Sequence, residues 1–235
     1  MENSTACVLF DLDGTLVDPA GAITSGIRQA LRSNGVADPG EDAVESLVGP
    51  PLRIGLAELP GVTAQNLDKI IADYRQEYAA RGMAASRVYP GLRTLLRDLR
   101  ASGVHVAVAT AKPEPIAREL IRVQGLDSDL DAIYGNDDEG GAHGTSKAHI
   151  VARALATSAV DAKRTVMVGD RHYDHDAAQA HGLGFIGVLW GFAQDGEFSA
   201  VEHLAADATE LAELLGLDGH GIDHTSQELQ EDPNA

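Results

Sequence analysis

Short apolar runs recur along the chain at residues 6–10, 104–109, 165–168 and 185–189, with a weaker one at 130–134. Between them, apolar positions fall at helical spacing over 92–102, 113–124, 147–157 and 173–181. Near-continuous apolar strands alternating with helices predict a parallel sheet covered on both faces, in the α/β class. Three of the runs stop at a polar residue: Asp11, Thr110 and Asp170. The carboxyl edge of an open α/β sheet is where ligands bind. Taken singly, each of these residues could equally cap a following helix.

Residues 17–88 follow a different pattern. Helical spacing runs over 21–33, 41–48, 51–59 and 64–82, interrupted by Gly35, Pro39, Gly49-Pro50-Pro51 and Pro60-Gly61, with no strand expected. The strand–helix alternation resumes at Tyr89-Pro90-Gly91. This stretch reads as a helical insert over the sheet's carboxyl edge, the alternative being helices that pad one sheet face. The predicted division is a core of residues 1–16 and 88–216, a helical cap of 17–87, and an acidic tail of 217–235. The tail has no sustained apolar face, so disorder is expected. His220 and His224 in it do not make a metal site by spacing alone. Residues 205–208 run directly into a helical pattern, which leaves no room for a final strand and predicts a trimmed sheet edge.

Composition narrows the possible functions. The 235 residues include 36 acidic against 18 basic side chains, a net charge of −18. Such a surplus argues against nucleic-acid polymers and anionic membrane as partners. The lone Cys7 allows no internal disulfide, as expected for a reducing compartment. No apolar run approaches the roughly 20 residues that span a bilayer, and no basic region precedes the first apolar stretch as in a signal peptide. A cytoplasmic protein, monomeric or homodimeric, is the expectation.

The candidate chemistry lies at the strand ends. Phe10-Asp11-Leu12-Asp13-Gly14-Thr15 places two carboxylates one residue apart. Like charges so close resist shared ionisation unless a cation compensates them; the bland alternative is an acidic turn. A second pair, Asp170 and Asp174, follows another strand. A hard divalent ion such as Mg²⁺ suits these oxygen donors, although Asp174 could instead cap its helix. Thr110, Lys112 and Lys147 supply a hydroxyl and two of the chain's four lysines. With helix-terminal N–H groups, such residues can hold a tetrahedral anion. The acidic, glycine-rich loop at 136–146 reads as surface, with a supporting role near Lys147 left open.

Phe10-Asp11-Leu12-Asp13-Gly14-Thr15-Leu16, Ala109-Thr110 with Lys112, Lys147, and Gly169-Asp170 with Asp174 together resemble the four motifs of the haloacid dehalogenase superfamily, in order, over roughly residues 6–190. Gly49-Pro50-Pro51-Leu52, Tyr89-Pro90-Gly91, Gly169-Asp170-Arg171 and Gly187-Val188-Leu189-Trp190-Gly191 resemble its phosphoglycolate phosphatase branch. The resemblance implies a Rossmann-like three-layer α/β/α core with a helical cap and Mg²⁺-dependent hydrolysis of small phosphate monoesters. Candidate substrates are phosphoglycolate and nucleoside monophosphates. It implies Asp11 as nucleophile, Asp13 as general acid and then base, and Thr110 and Lys147 holding the phosphoryl oxygens beside Ala111. Mg²⁺ would sit on Asp11, the Asp13 main-chain carbonyl, Asp170 and Asp174. Tyr173 stands where this branch usually carries His, with His172 one position earlier.

In the dehalogenase members of the superfamily the position two after the nucleophile is not Asp, since halide needs no proton; Asp13 at that position implies an alcohol leaving group. Some members of the superfamily use a cap lysine for Schiff-base chemistry; the corresponding cap stretch here offers Arg53 instead, with Lys69 much later, so that chemistry is not expected. Arg53 is a candidate contact to a second anionic group of the substrate, or else an exposed helix residue. Arg171 reads as an ion-pair partner for nearby carboxylates. A sugar phosphomutase would share all these residues, differing only in whether water or a second hydroxyl attacks the aspartyl phosphate. A non-catalytic binding protein is the third reading, against which the intact set of aspartates and lysine counts.

Overall fold

The computed structural model describes residues 5–19, 21–137 and 146–217. The predicted tail beyond Leu217, with His220 and His224, and loop residues 138–145 lie outside them. The strands are β1 (Cys7–Phe10), β2 (Val17–Asp18), β3 (Arg87–Val88), β4 (His105–Pro113), β5 (Ala132–Asn136), β6 (Thr165–Gly169), β7 (Gly184–Val188) and β8 (Leu204–Ala205). The helices are α1 (Ala22–Ser33), α2 (Glu41–Glu45), α3 (Leu52–Ala57), α4 (Leu67–Glu77), α5 (Met83–Ala85), α6 (Leu92–Ala101), α7 (Glu114–Val123), α8 (Ala148–Ser158), α9 (His172–His181) and α10 (Ala208–Leu214). A π-helical turn, Tyr78–Gly82, joins α4 to α5.

Six strands form one sheet in the order β5-β4-β1-β6-β7-β8. Its pairings are parallel throughout. The reason lies in β1, whose residues Cys-Val-Leu-Phe are all buried. A strand's side chains alternate between faces. Val8 and Phe10 join one cluster with Leu95 and Leu99 of α6, Leu120 of α7 and Leu211 of α10. Cys7 and Leu9 join the other with Ile150 and Val151 of α8 and Ala177 and Ala178 of α9. Each face is thus covered by helices, the three-layer Rossmann-like arrangement expected. Among the described residues, no helix is long and apolar enough to cross a membrane.

The insert between β1 and α6 is helical, with α1 packed along α4. Gly26 of α1 faces the Tyr74 ring, where an added Cβ would come within 3.3 Å. Contrary to the expectation of no strand there, β2 and β3 pair antiparallel, Val17 opposite Val88 and Asp18 opposite Arg87. This ribbon gathers the insert's two chain connections side by side.

Two more expectations need correction at the sheet. The edge is not trimmed: β8 pairs with β7 through Gly187 and Val188, and Leu189 N–H donates to the Ala205 carbonyl at 2.9 Å. Two residues satisfy the outer edge of β7 but are too short to show a period. Nor does β4 stop at Thr110; it continues to Pro113 with a shift of register against β5 between Ala109 and Pro113. Such irregularities re-aim side chains, and this one falls on Thr110, Ala111 and Lys112.

Candidate active site

β1 lies between β4 and β6, with Phe10 level with Val108 and Val168. That register brings the residues just past three strand ends to one edge. Asp11 leaves β1 with its N–H bonded to the Val168 carbonyl at 2.9 Å. Asp170 leaves β6, and Asp174 sits one turn into the sequence beyond it, in α9. One carboxylate oxygen from each of Asp11, Asp170 and Asp174 lies within 4.8 Å of the others, and all three residues are buried.

Each member is held by specific partners. Thr15 donates its hydroxyl to Asp170 Oδ1 at 3.0 Å, and the Phe192 N–H donates to Oδ2 at 2.8 Å. The Trp190 indole N–H bonds the Thr15 carbonyl at 3.1 Å, so the Trp-Gly element after β7 braces the same corner. Gly14 is required here: its φ is +85°, and a Cβ would lie 2.2 Å from Asp170 Oδ2. Asp174 accepts the Arg171 N–H at Oδ2, 3.2 Å away, and the Lys147 ammonium at Oδ1, 2.6 Å away. It therefore caps its helix and belongs to the acid cluster at once.

Lys147, at the N-terminal end of α8, places Nζ 2.8 Å from Asp11 Oδ2 as well. Burial opposes its charge, but Asp11 and Asp174 outweigh that and raise its pKa. Asp170 moves well above the usual carboxylate range through burial and then the like charge of Asp11. Asp174 does so through burial, offset in part by Lys147. Three carboxylates against one ammonium leave two uncompensated negative charges, the number a divalent cation carries. Among the described residues Asp11 Oδ1 is buried without a hydrogen-bond partner, whereas buried polar atoms are nearly always paired. The donor set is carboxylate oxygen alone, which suits Mg²⁺. The cluster fits such an ion.

Asp13 faces another way. Its Oδ2 lies 2.8 Å from Lys112 Nζ, and its Oδ1 is buried without a partner among the described residues. Its carboxylate is not part of the three-acid cluster. Burial outweighs Lys112 and raises the Asp13 pKa; at Lys112 burial acts to lower the pKa, but Asp13 together with Tyr78 and Tyr74 overcomes it and raises the value. Sequence reasoning noticed Lys112 but gave it no partner; the change of register in β4 aims it. Thr15 stands inside the first motif with no role assigned to it there, and Phe192, which acts through its main-chain N–H, carries no side-chain signal.

A pocket opens over this edge. Asp11, Asp13, Thr110, Ala111, Lys112 and Asn136 form its core side. Its insert side includes Ile23, Leu47, Leu52, Tyr74 and Tyr78. Arg53 reaches its rim, where Nη2 pairs with Asp68 Oδ1 at 2.7 Å. Lys69 is instead exposed and paired with Asp73 at 2.7 Å. Arg171 pairs with Glu197 at 2.9 Å and also donates to the Val48 carbonyl of the insert.

The haloacid dehalogenase-like hydrolase family matches residues 8–188. The chain belongs to that family. The buried aspartate triad on this fold supports hydrolase, specifically phosphatase, activity. The tyrosine-protein kinase PtkA of Mycobacterium tuberculosis is 39% identical over 218 residues, spanning 91% of this chain and 74% of that protein. Its solved structure superposes with a TM-score of 0.77, at 40% identity over 91% of this chain and 99% of that one. A 5'-nucleotidase of Pseudomonas aeruginosa is 33% identical, covering 88% of this chain and 94% of the nucleotidase. The phosphoglycolate phosphatase of Rhodospirillum rubrum is 28% identical over 96% of this chain and 98% of its own length. The superfamily expectation is met; the phosphoglycolate phosphatase branch is not set apart from the PtkA-like one.

Proposed function

We propose that this protein hydrolyses small phosphate monoesters with Mg²⁺ through an aspartyl phosphate on Asp11. The observation that carries this reading is the buried Asp11, paired with Lys147 on one side and grouped with Asp170 and Asp174 on the other. Asp11, Asp170, Asp174 and the Asp13 main-chain carbonyl would hold the ion. When bound, it supplies positive charge against the oxygens of the transferring phosphoryl group.

The chain's own residues would divide the work as follows. An Asp11 oxygen attacks phosphorus while the ester P–O bond breaks. Asp13 gives its proton to the departing alcohol oxygen. Asp13 then takes a proton from water, whose oxygen attacks phosphorus and releases Asp11. Splitting the displacement in this way replaces one hard step with two easier ones. Lys147, Thr110 and Ala111 would hold the phosphoryl oxygens, Lys147 by charge, Thr110 by its hydroxyl and Ala111 by its main chain. The insert excludes bulk water from the site.

Between the two candidate substrates, the pocket wall favours a nucleoside monophosphate over phosphoglycolate. The compact carboxylate of phosphoglycolate calls for a spare cation, but of the three that line the pocket Arg53 pairs with Asp68, Lys112 pairs with Asp13, and Arg75 is not free either. The apolar side chains of the insert, Ile23, Leu47 and Leu52, suit a flat base instead. A 5'-nucleotidase among the relatives accords with this. Phosphate release from a panel of monoesters, with Mg²⁺ and with EDTA, tests the reading. The expected result is Mg²⁺-dependent release that Asp11→Asn abolishes; release undiminished in that variant would overturn it.

A further inference from the structure

Lys112 stands on the irregular end of β4, two residues past Thr110. Its Nζ is 2.8 Å from Asp13 Oδ2, donates to the Tyr78 hydroxyl at 3.4 Å, and sits 4.5 Å from the centroid of that ring. Tyr78 comes from the insert, on the π-helical turn, and stacks on Tyr74 at 5.7 Å and 21°. π-helical turns are uncommon and gather at functional positions. One core ammonium is therefore seated on an aromatic ring of the insert while it grips the core carboxylate. Of the two Asp13 oxygens, Oδ1 is the one left without a partner among the described residues.

A carboxyl group that passes a proton in a displacement has to present a defined oxygen along a defined line. Rotation about the terminal side-chain torsion would interchange its two oxygens. The ammonium on Oδ2 prevents that interchange. We propose that Lys112, seated by Tyr78, is a positioning residue for the acid–base step. It holds Asp13 so that Oδ1 delivers the proton to the departing oxygen as the ester bond breaks, and later receives one from water. The proposal rests on the phosphatase reading above. It also distinguishes Lys112 from a direct phosphate ligand, which would act on all substrates alike.

Leaving-group dependence tests it. Kcat/KM is measured for p-nitrophenyl phosphate, whose leaving group needs no proton, and for an alkyl phosphate, whose leaving group does. In Lys112→Met, the alkyl ester is expected to lose about 100-fold or more and the aryl ester less than about 10-fold. In an Asp13→Asn background the same change should cost the alkyl ester nothing further. Tyr78→Phe keeps the ring and the lysine, so its folding is spared. It is expected to lose about 3-fold more on the alkyl than on the aryl ester. An equal loss on both esters in Lys112→Met would overturn the proposal. Should that variant not fold, an unchanged alkyl-to-aryl ratio in Tyr78→Phe would overturn it. Wild-type protein that releases phosphate from neither ester would instead defeat the phosphatase reading itself.

Discussion

Lys147 holds its ammonium 2.8 Å from Asp11 Oδ2, with both side chains almost wholly buried. A buried ion pair is costly to break, because the survivor keeps its charge without water or partner. Lys147→Met should therefore lower stability by about 3–5 kcal/mol. Turnover at saturating Mg²⁺ should fall at least about 100-fold, since a cation aimed at the reacting group is lost. Thermal unfolding and steady-state kinetics on the same preparation check both outcomes.

Asp170→Asn should separate stability from metal binding. An amide can still accept the Phe192 N–H and donate to the Thr15 hydroxyl, the two partners of Asp170. It also removes one of three like charges. The metal-free variant is expected to melt no lower than wild type, while its response to Mg²⁺ disappears. A metal-free Tm well below wild type would contradict this.

Stability should depend on pH in a direction set by the cluster. Burial and mutual repulsion raise Asp170 from 3.8 to about 7 and Asp174 from 3.8 to about 8. The metal-free fold thus binds more protons than the unfolded chain. The contribution of these groups is full below pH 3.8 and is lost as pH rises through about 7 and about 8. Mg²⁺ replaces those protons, so the rise in Tm on adding it should be larger at pH 8 than at pH 5.5, by about 4 °C or more. An equal rise at both values would refute the prediction.

Gly14→Ala should abolish activity although it alters no charged side chain. The new methyl would sit 2.2 Å from Asp170 Oδ2 on a backbone with φ of +85°. Stability is expected to fall by about 1–3 kcal/mol, and the Mg²⁺-induced shift in Tm should vanish with the displaced carboxylate.

How far these features were legible follows from their length and locality. β1, with Asp11 and Asp13 behind it, is visible because four apolar residues run straight into a polar turn. The acid cluster is visible because parallel strands bring their ends to one edge. β8 and the β2–β3 ribbon are two residues long each, too short for any alternation to register. The grip of Lys112 on Asp13 depends on a change of register in β4 that spacing does not reveal. Glu197, the partner of Arg171, lies 26 positions away in an irregular stretch. We propose core and cap boundaries at residues 16, 17, 87 and 88, where the ribbon lies; replacing the insert between them tests whether the core folds without it.

The β2–β3 ribbon carries an evolutionary consequence. Val17 lies opposite Val88, so the insert enters and leaves through adjacent points at the rim of the sheet. A segment tethered in that way can be exchanged for another of different length without breaking a strand of the six-stranded sheet. The carboxylates and Lys147 stay with the sheet, while Tyr74, Leu47 and Leu52 travel with the segment. Descendants of one ancestor could thus acquire new preferences by trading the roof and leave the reactive floor unaltered.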